Sequence, residues 1–455
     1  MQPGDSSFVD TIVAPATAPG RAALAVVRVS GDSTRRLLAL LAPGLPAEPI
    51  PRNACLTLIV DGAGRPIDRG LVTFFAAPSS YTGEDAAEIS VHGAPRVVDR
   101  LLAACAAAGA RLARPGEFTE RALSHGKMDL IEAEAVQELV DARTEKAARV
   151  CARRLTGALS QRLALVREAL LGASASLTAT IDFAEDVGES IDPAVERQLR
   201  RAGETLARLA ESYEAGRLLS AGCRVAILGR PNAGKSTLFN ALVGSPRAIV
   251  TEVAGTTRDA IDAAIDVSGI PVTLVDTAGL RATQDPVEAI GVARARAEAE
   301  RADAVLYVLD ASAGITPEDR ETLASVSAGG RTVLLVANKI DTLASGAAAP
   351  EGAVPLCALA PDAAERLHNL LRERLAWDAA LEEADEVLGN ARQRDLVLRA
   401  GRCASGAIEA LSRGDSPEYA VTHVDAALAA LADVFGEATP EDVLRRIFAT
   451  FCIGK

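Results

Sequence analysis

The segment GRPNAGKS has the residue types and spacing of a loop that binds phosphate. Gly229, Gly234, Lys235 and Ser236 form the pattern Gly-x4-Gly-Lys-Ser after an apolar run and before a helical pattern. In such a loop the glycines let backbone N–H groups turn toward phosphate oxygens, the lysine reaches the outer phosphates, and the serine hydroxyl binds Mg²⁺. A glycine-rich structural turn can match the same pattern by chance, so the pattern alone leaves both interpretations open.

Two motifs further along the chain favour a nucleotide. DTAG spans Asp276–Gly279 after a β-branched run, where Asp276 is expected to reach the Mg²⁺ and the Gly279 N–H the γ-phosphate. NKID spans Asn338–Asp341 after another such run. The Asp341 carboxylate can accept hydrogen bonds from N1–H and the 2-amino group of guanine, whereas adenine offers neither donor. The three motifs in this order predict a domain that binds GTP rather than ATP.

The residue after DTAG is Leu280, where Ras-like proteins have a glutamine that orients the attacking water. A leucine cannot polarise water, so either another group is catalytic or the domain is a slow switch. Nearby polar candidates are Arg281, Glu288 and the segment Thr251–Asp259. Within that segment, Thr257 is placed to complete the Mg²⁺ shell.

Two further positions depart from the usual pattern. Asn232 puts a side-chain carbonyl inside the phosphate loop, where a monovalent cation could take the electrostatic part of an arginine finger, worth ~10³–10⁵ in rate. The expected base-contacting loop reads Cys357-Ala358-Leu359, whereas such loops usually read Ser-Ala-Lys. Because that contact is made mainly by the backbone, the change can lower affinity without altering the assignment.

The elements that must hold these motifs fall into three patterns. Residues 8–124 show strand-like runs that end in glycine, which indicates a small α+β unit. From Cys223 to about Trp377 short β-branched runs alternate with helices, as in a doubly wound parallel sheet. The rest has helical periodicity. We therefore expect an α/β and α fold: an N-terminal domain and a Ras-like P-loop domain inserted into a discontinuous helical domain. The predicted segments are 1–124, 125–220, 221–378 and 379–455.

The composition excludes several classes of protein. No apolar run of the 455 residues approaches the ~18 that a membrane span needs, and MQPGDSSFVD lacks the features of a secretory signal. The net charge of −13 argues against non-specific coating of nucleic acid. Seven cysteines are scattered without disulfide or metal-ligand spacing. A soluble protein of a reducing cytoplasm is therefore expected, with no membrane partner.

The C-terminal FCIGK allows three interpretations of Cys452. A prenylation signal is disfavoured, because Gly454 is not aliphatic and Lys455 is a poor final residue. The thiol could instead be reactive, with Lys455 beside it, or it could be a small apolar residue that packs the last helix.

The chain resembles the bacterial tRNA-modification GTPase family MnmE, also called TrmE, over essentially its whole length. The resemblance is carried by DTIVAPATAPGR, SYTGEDAAEISVHG, ARPGEFTERAL, KMDLIEAEAV, GRPNAGKST, AGTTRD, DTAGLR and FCIGK. It implies GTP hydrolysis activated by K⁺, with Ser236 and Thr257 on Mg²⁺ and Glu288 orienting the water through a bridging water. The implied K⁺ ligands are Asn232, Thr251, Val253 and Thr256. The implied contacts of the nucleotide and its ions are Asn232, Ala233, Gly234, Lys235, Ser236, Thr237, Thr251, Glu252, Val253, Ala254, Gly255, Thr256, Thr257, Asp276, Thr277, Ala278, Gly279, Asn338, Lys339, Asp341, Cys357, Ala358 and Leu359.

The resemblance also implies a folate site in the N-terminal domain. The expected ligand is a tetrahydrofolate derivative, 5-formyl or 5,10-methylene. Its pterin presents a donor pair that suits a carboxylate, and its glutamate tail suits cations. The matching residues are Arg28, Glu88, Lys127 and Lys455. The C-terminus would fold back to this site, and a catalytic or substrate-shielding role is favoured over packing for Cys452.

The implied partners are a second copy of the chain, tRNA, and the flavoprotein MnmG (GidA), with which the dimer would form a heterotetramer. The implied reaction adds an aminomethyl or carboxymethylaminomethyl group to C5 of the wobble uridine. The alternative is a P-loop switch protein of ribosome assembly without modification chemistry. Seven basic residues along the long helical stretch are expected to form a solvated face rather than a tRNA contact. They are Arg143, Lys146, Arg149, Arg153, Arg154, Arg162 and Arg167.

Overall fold

The computed structural model describes residues 10–182, 192–245, 247–249, 261–276, 297–298, 300–328, 331–343, 348–375 and 386–455. The chain folds into two compact units. The first comprises Met1–Gln137, Arg154–Ala202 and Arg402–Lys455, and the second comprises Glu138–Arg153 and Gly203–Gly401. Within the described residues, no helix has both the length and the apolar composition to cross a membrane.

A six-stranded mixed sheet forms the N-terminal part of the first unit. Its order is β3-β4-β5-β2-β1-β6, and only the β1–β6 pair is parallel. The strands are β1 Ile12–Pro15, β2 Leu24–Ser30, β3 Ala54–Val60, β4 Pro66–Phe75, β5 Ala86–His92 and β6 Arg111–Leu112. Helices α1 Thr34–Leu41 and α2 Pro95–Ala107 cover one face and share its apolar core. The α+β prediction for this region is confirmed.

Helices make up the remainder of the first unit. The stretch from Glu117, which reads as nearly continuous helix, is broken where Gly126 and Gly157 adopt the left-handed φ values of 63° and 85°. Helices with all or part of their length in this unit are α3 Glu117–Ser124, α4 Leu130–Asp141, α5 Glu145–Leu155, α6 Ala158–Asp182, α7 Pro193–Glu211, α12 Ala391–Arg413, α13 Pro417–Phe435 and α14 Glu441–Phe448. The predicted solvated basic face is wrong for Arg154, whose side chain is buried.

A seven-stranded sheet forms the centre of the second unit, in the order β13-β12-β11-β7-β10-β9-β8. Its strands are β7 Cys223–Leu228, β8 Ala248–Ile249, β9 Ile261–Val267, β10 Ile270–Asp276, β11 Ala304–Asp310, β12 Thr332–Asn338 and β13 Val354–Pro355. Among the described residues, the helices that lie wholly in this unit are α8 Tyr213–Ser220, α9 Lys235–Val243, α10 Pro317–Ser327 and α11 Ala363–Arg374.

The doubly wound prediction is confirmed, but the sheet is not parallel throughout. β9 and β10 form an antiparallel hairpin, and β8 pairs antiparallel with β9. The turn between β9 and β10 places Ser268 at φ 56° and Gly269 at φ 90°. Two successive left-handed residues reverse the chain in the tight turn that a hairpin requires.

The start of α5 packs in the second unit. Val150 belongs to the apolar cluster that contains Val225 and Val272 of the sheet, and the Thr144 hydroxyl donates to the Gly269 carbonyl at 2.6 Å. The boundaries of the two compact units therefore differ from those of the four predicted segments. The division into four segments stays a prediction.

Candidate functional site

The predicted phosphate loop connects β7 to α9, and packing against β11 and β12 fixes its backbone. Gly229 has φ 140°, and a Cβ there would collide with the carbonyl oxygen of Val308. Gly234 has φ 96°, and a Cβ there would collide with the side chain of Asn338. Asn232 also has a left-handed φ, of 63°. Both positions thus require glycine for two reasons: neighbouring residues lie too close for a Cβ, and the positive φ values are ones that other residues rarely adopt.

Three predicted side chains meet at the carboxyl ends of β7 and β10. The Lys235 ammonium donates to the carbonyls of Gly229 and Arg230 at 2.7 Å each. The Ser236 hydroxyl donates to Asp276 Oδ2 at 2.9 Å, and the Asp276 side chain is buried. A cation inside the loop beside a hydroxyl and a carboxylate can hold both a phosphate and a divalent ion.

The buried amide of Asn338 joins the phosphate loop to the predicted base loop. Its Nδ2 donates to the Ala233 carbonyl at 2.9 Å, and its Oδ1 accepts from the Ala358 N–H at 2.9 Å. Lys339, with φ 63°, forms an ion pair of 2.7 Å with Asp310 at the end of β11. The hydrogen bonds from Lys339 and Ser312 lower the pKa of Asp310. Both loops therefore have fixed positions.

Asp341 lies exposed in a short 3-10 helix, Ile340–Thr342. Among the described residues no side chain or backbone N–H is bonded to its carboxylate. The base loop is held beside this helix, because the Ile340 N–H donates to the Leu356 carbonyl at 3.3 Å. Leu359 is 81% exposed. The Asp341 carboxylate, to which no described residue donates, is thus available to a ligand with paired donors.

The other predicted residues of the nucleotide site lie outside the described residues. They are Thr251, Glu252, Val253, Ala254, Gly255, Thr256, Thr257, Thr277, Ala278, Gly279, Arg281 and Glu288. Their predicted roles stay predictions. The described residue Thr237 lies in the first turn of α9, directly after Ser236.

The predicted folate residues Arg28 and Glu88 face each other across β2 and β5. Arg28 Nη2 and Nε donate to Glu88 Oε1 at 2.8 and 3.2 Å. Arg28 Nη1 donates to the carbonyl of Gly454 at 3.2 Å, so the C-terminal backbone reaches the same guanidinium. The guanidinium carbon also lies 5.4 Å from the ring centroid of Tyr81 and 5.7 Å from that of Phe118.

Tyr81 is a residue of this region that sequence reasoning missed. Its hydroxyl is hydrogen-bonded to Thr119 at 2.9 Å, and burial raises its pKa. Lys127 donates to the Pro78 carbonyl at 3.0 Å, at the base of the loop that carries Tyr81. Lys455 is half-buried, and its carbonyl accepts from the Phe118 N–H at 3.2 Å. The aromatic residue inside SYTGED was the available signal.

Comparison with known proteins decides the family. The model of the MnmE helical domain matches residues 130–452, and the model of the GTP-binding protein TrmE N-terminus matches residues 11–127. The chain belongs to the MnmE family. It is 40% identical over 454 residues to the tRNA modification GTPase MnmE of Aquifex aeolicus, covering 98% of this chain and 100% of that protein. To the tRNA modification GTPase MnmE of Azoarcus sp. it is 43% identical over 454 residues, covering 98% of each.

A solved structure of Era from Aquifex aeolicus bound to GDP·AlF4⁻ is 28% identical, covering 33% of this chain and 56% of that chain with a TM-score of 0.26. A likeness of that size supports no argument about function. The family assignment therefore depends on the two family models and on the MnmE relatives.

The terminal FCIGK, one of the segments similar to the MnmE family, has its apolar anchor at Phe451 and not at Cys452. The Phe448 and Phe451 side chains are buried, with ring centroids 5.2 Å apart. Cys452 is exposed and its backbone is held on both sides: its N–H donates to Gln137 Oε1 at 3.3 Å, and its carbonyl accepts from the Lys455 N–H at 3.3 Å. Gly454 has φ 94°, and a Cβ there would collide with the Pro15 carbonyl. The packing interpretation of Cys452 is therefore wrong.

We expect Cys452→Ser to change the free energy of unfolding by less than about 0.5 kcal/mol, because the thiol is exposed. Phe451→Ala in the same tail should cost about 3–5 kcal/mol through the cavity left beside Phe448. Urea unfolding of the full chain, followed by circular dichroism, measures both. A loss in Cys452→Ser as large as that in Phe451→Ala would restore the packing interpretation.

Sequence reasoning did not predict a buried cluster of ion pairs between the segments SYTGED and RPGEFTER, both of which are similar to the MnmE family. Arg121 is fully buried and donates to Glu84 at 3.0 Å, Glu117 at 3.2 Å and Asp10 Oδ1 at 2.6 Å. Burial by itself would raise the pKa of Glu117, but hydrogen bonds from Arg111 and the Arg114 N–H lower it to about 2. Opposite charges satisfy one another here, so the cluster fixes α3 against the loop at residues 80–85.

Proposed function

We propose that this chain is a GTPase that acts in tRNA modification. The observation that carries the proposal is the meeting of Lys235, Ser236 and Asp276 beside a loop where Asp341 has an open carboxylate. The near-full-length similarity to proteins named tRNA modification GTPase MnmE supports the same activity. The Asp341 carboxylate, to which no described residue donates, favours guanine, because a bound adenine would leave this carboxylate unsatisfied.

The residues present suit a Mg²⁺–GTP ligand. Ser236 and Asp276 supply the oxygen ligands that Mg²⁺ prefers, and Thr257 would supply another. Lys235 would exchange its bonds to the loop carbonyls for phosphate oxygens, which keeps the ammonium paired throughout. Asn232, whose left-handed backbone lies in the same loop, would join Thr251, Val253 and Thr256 around K⁺. That ion would supply positive charge where the γ-phosphate becomes more negative.

In this proposal water activation falls to Glu288, since Leu280 cannot orient a water molecule. Arg281 is the neighbouring polar candidate. The base is read by Asp341, with the backbone of the loop Cys357-Ala358-Leu359 on the other side. The Asn338 side chain holds this base loop at a fixed spacing from the phosphate loop.

We further propose that the N-terminal domain binds a tetrahydrofolate derivative, 5-formyl or 5,10-methylene, beside Arg28 and Glu88. The Glu88 carboxylate suits the donor pair of a pterin, and the ring of Tyr81 offers a flat wall over Arg28. Lys127 and Lys455 would pair with the glutamate tail. Exposure of Cys452 at the C-terminus supports a role for it in chemistry or in shielding the substrate.

The full reaction proposed is addition of an aminomethyl or carboxymethylaminomethyl group to C5 of the tRNA wobble uridine, together with the flavoprotein MnmG as a heterotetramer. A second copy of the chain is the proposed dimer partner. Leu56 and Leu71 are exposed cross-strand neighbours beside exposed Leu58 on the edge strand β3, a pattern that suits a second copy. The seven free cysteines support a cytoplasmic location.

Turnover in different salts tests the proposal. We expect GTP hydrolysis to be at least about tenfold faster in KCl than in NaCl at equal ionic strength, because the proposed K⁺ would supply the charge that an arginine finger supplies in other GTPases. Phosphate release by the full chain measures the rate, and ATP serves as the control substrate. Equal, slow rates in both salts would favour the switch protein of ribosome assembly, and a preference for ATP would overturn the assignment to GTP.

A further inference from the structure

Arg224, the second residue of β7, joins two other elements through its side chain. Its Nη1 lies 3.3 Å from Asp262 Oδ2, and its Nη2 lies 2.8 Å from Glu298 Oε2. Its backbone is held separately, because its N–H donates to Asp303 Oδ2 at 2.8 Å and its carbonyl accepts from the Asp303 N–H at 2.9 Å. One guanidinium thus links three segments of the chain.

Each of the three segments continues into a part of the proposed nucleotide site. β7 leads directly into the phosphate loop. Asp262 is the second residue of β9, directly after the segment that contains Thr257. Glu298 follows the segment that contains Glu288. Arg224 therefore pairs with Asp262, which follows Thr257 closely in the sequence, and with Glu298, which follows Glu288.

The chemistry of this link requires an arginine. A guanidinium presents donors in a rigid fork and can hold two carboxylates in fixed directions, whereas a lysine ammonium is a compact point charge. The Nε of Arg224 is buried without a hydrogen-bond partner among the described residues, which costs stability. An ion pair that leaves one buried polar atom unsatisfied, as the pairing of Arg224 with Asp262 and Glu298 does, is typical of a functional position.

We propose that Arg224 is a positioning residue for GTP hydrolysis, which holds Asp262 and Glu298 against β7, the strand that leads into the phosphate loop. This inference rests on the proposed GTPase function. Arg224 acts through Asp262 and Glu298 and has no contact with the nucleotide. Small displacements of reacting groups lower the rate of a chemical step strongly. Nucleotide affinity depends mainly on the phosphate loop and Asp341, so it should change little.

The test is Arg224→Lys in the full chain, with Arg217→Lys as the matched control. Arg217 also bridges two carboxylates, Glu214 at 2.9 Å and Asp303 at 3.2 Å, but holds neither segment. We expect Arg224→Lys to lower kcat for GTP about tenfold with the Kd for GDP within about twofold. Arg217→Lys should leave both within about twofold.

A double variant separates positioning from general stability. If Arg224 acts through Glu298, adding Glu298→Gln to Arg224→Lys should lower kcat little further. The inference is overturned if Arg224→Lys keeps kcat within about twofold of the wild-type value. It is also overturned if the changes in kcat, Kd and Tm caused by Arg224→Lys are no different from those caused by Arg217→Lys. If the wild-type chain does not hydrolyse GTP, the proposed function itself is overturned. If the wild-type chain is active and Arg224→Lys is equally active, only the inference about Arg224 is overturned.

Discussion

Asp341→Asn should weaken GTP binding by at least about 10²-fold. The Asp341 carboxylate is exposed, and no described residue satisfies it, so its two acceptor oxygens are available to the donors of guanine. An amide oxygen can accept one of these bonds, but its NH₂ group faces a donor and repels it. The Kd for GTP and GDP, measured by displacement of a fluorescent nucleotide, gives the size of the loss.

The matched control is Asp362→Asn, which makes the same change at an exposed carboxylate before α11. It should leave the Kd within about twofold. Asp341→Asn should also gain affinity for xanthosine nucleotides, because xanthine carries a carbonyl where guanine has its 2-amino group and an amide can donate to it. A Kd for GTP within about threefold of wild type would show that Asp341 does not read the base.

Arg121→Met should lower the free energy of unfolding of the first unit by about 3–5 kcal/mol. The substitution keeps a long side chain but removes the one charge that faces Glu84, Glu117 and Asp10 together. Glu84 and Glu117 would then be buried with less compensation. Urea unfolding of the full chain at pH 7, followed by circular dichroism, measures the loss in the transition of this unit.

Arg413→Met is the control for loss of a charge alone. Its ion pair with Glu409, one helical turn away, is exposed, so removing it should cost less than about 0.5 kcal/mol. If Arg121→Met costs no more than Arg413→Met, the buried cluster does not stabilise the fold.

The same cluster gives a pH dependence whose sign follows from Glu117. Its pKa falls from an ordinary 4.5 to about 2 in the folded chain, so the unfolded chain binds the proton more tightly. Its contribution is therefore present above about pH 5 and is lost as the pH falls through 4.5 toward 2. Stability that falls equally with pH in wild type and Glu117→Gln would contradict this assignment.

The nucleotide site was largely predictable because its signals are local. Gly229 and Gly234 are required by backbone conformation, and Lys235 and Ser236 follow at fixed spacing on the first turn of a helix. Parallel strands bring their carboxyl ends to one edge, so Asp276 beside Ser236 followed from the strand pattern.

The contacts that sequence reasoning missed join residues far apart in the chain. Arg121 bonds to Asp10 and Glu84, and no periodicity of apolar residues reports such a cluster. The antiparallel course of β9 was also missed, although the Ser268-Gly269 turn between β9 and β10 is a local signal for a hairpin.

By itself, the sequence predicted the phosphate loop, a preference for guanine, the doubly wound sheet and the helical character of the remainder. These follow from backbone conformations and hydrogen-bond donors that a short motif fixes. Only the tertiary structure decided that Phe451 anchors the C-terminus while Cys452 is exposed, and that Arg224 ties β9 and Glu298 to β7. Burial and ion pairing between distant segments depend on how the chain packs, which residue spacing does not specify.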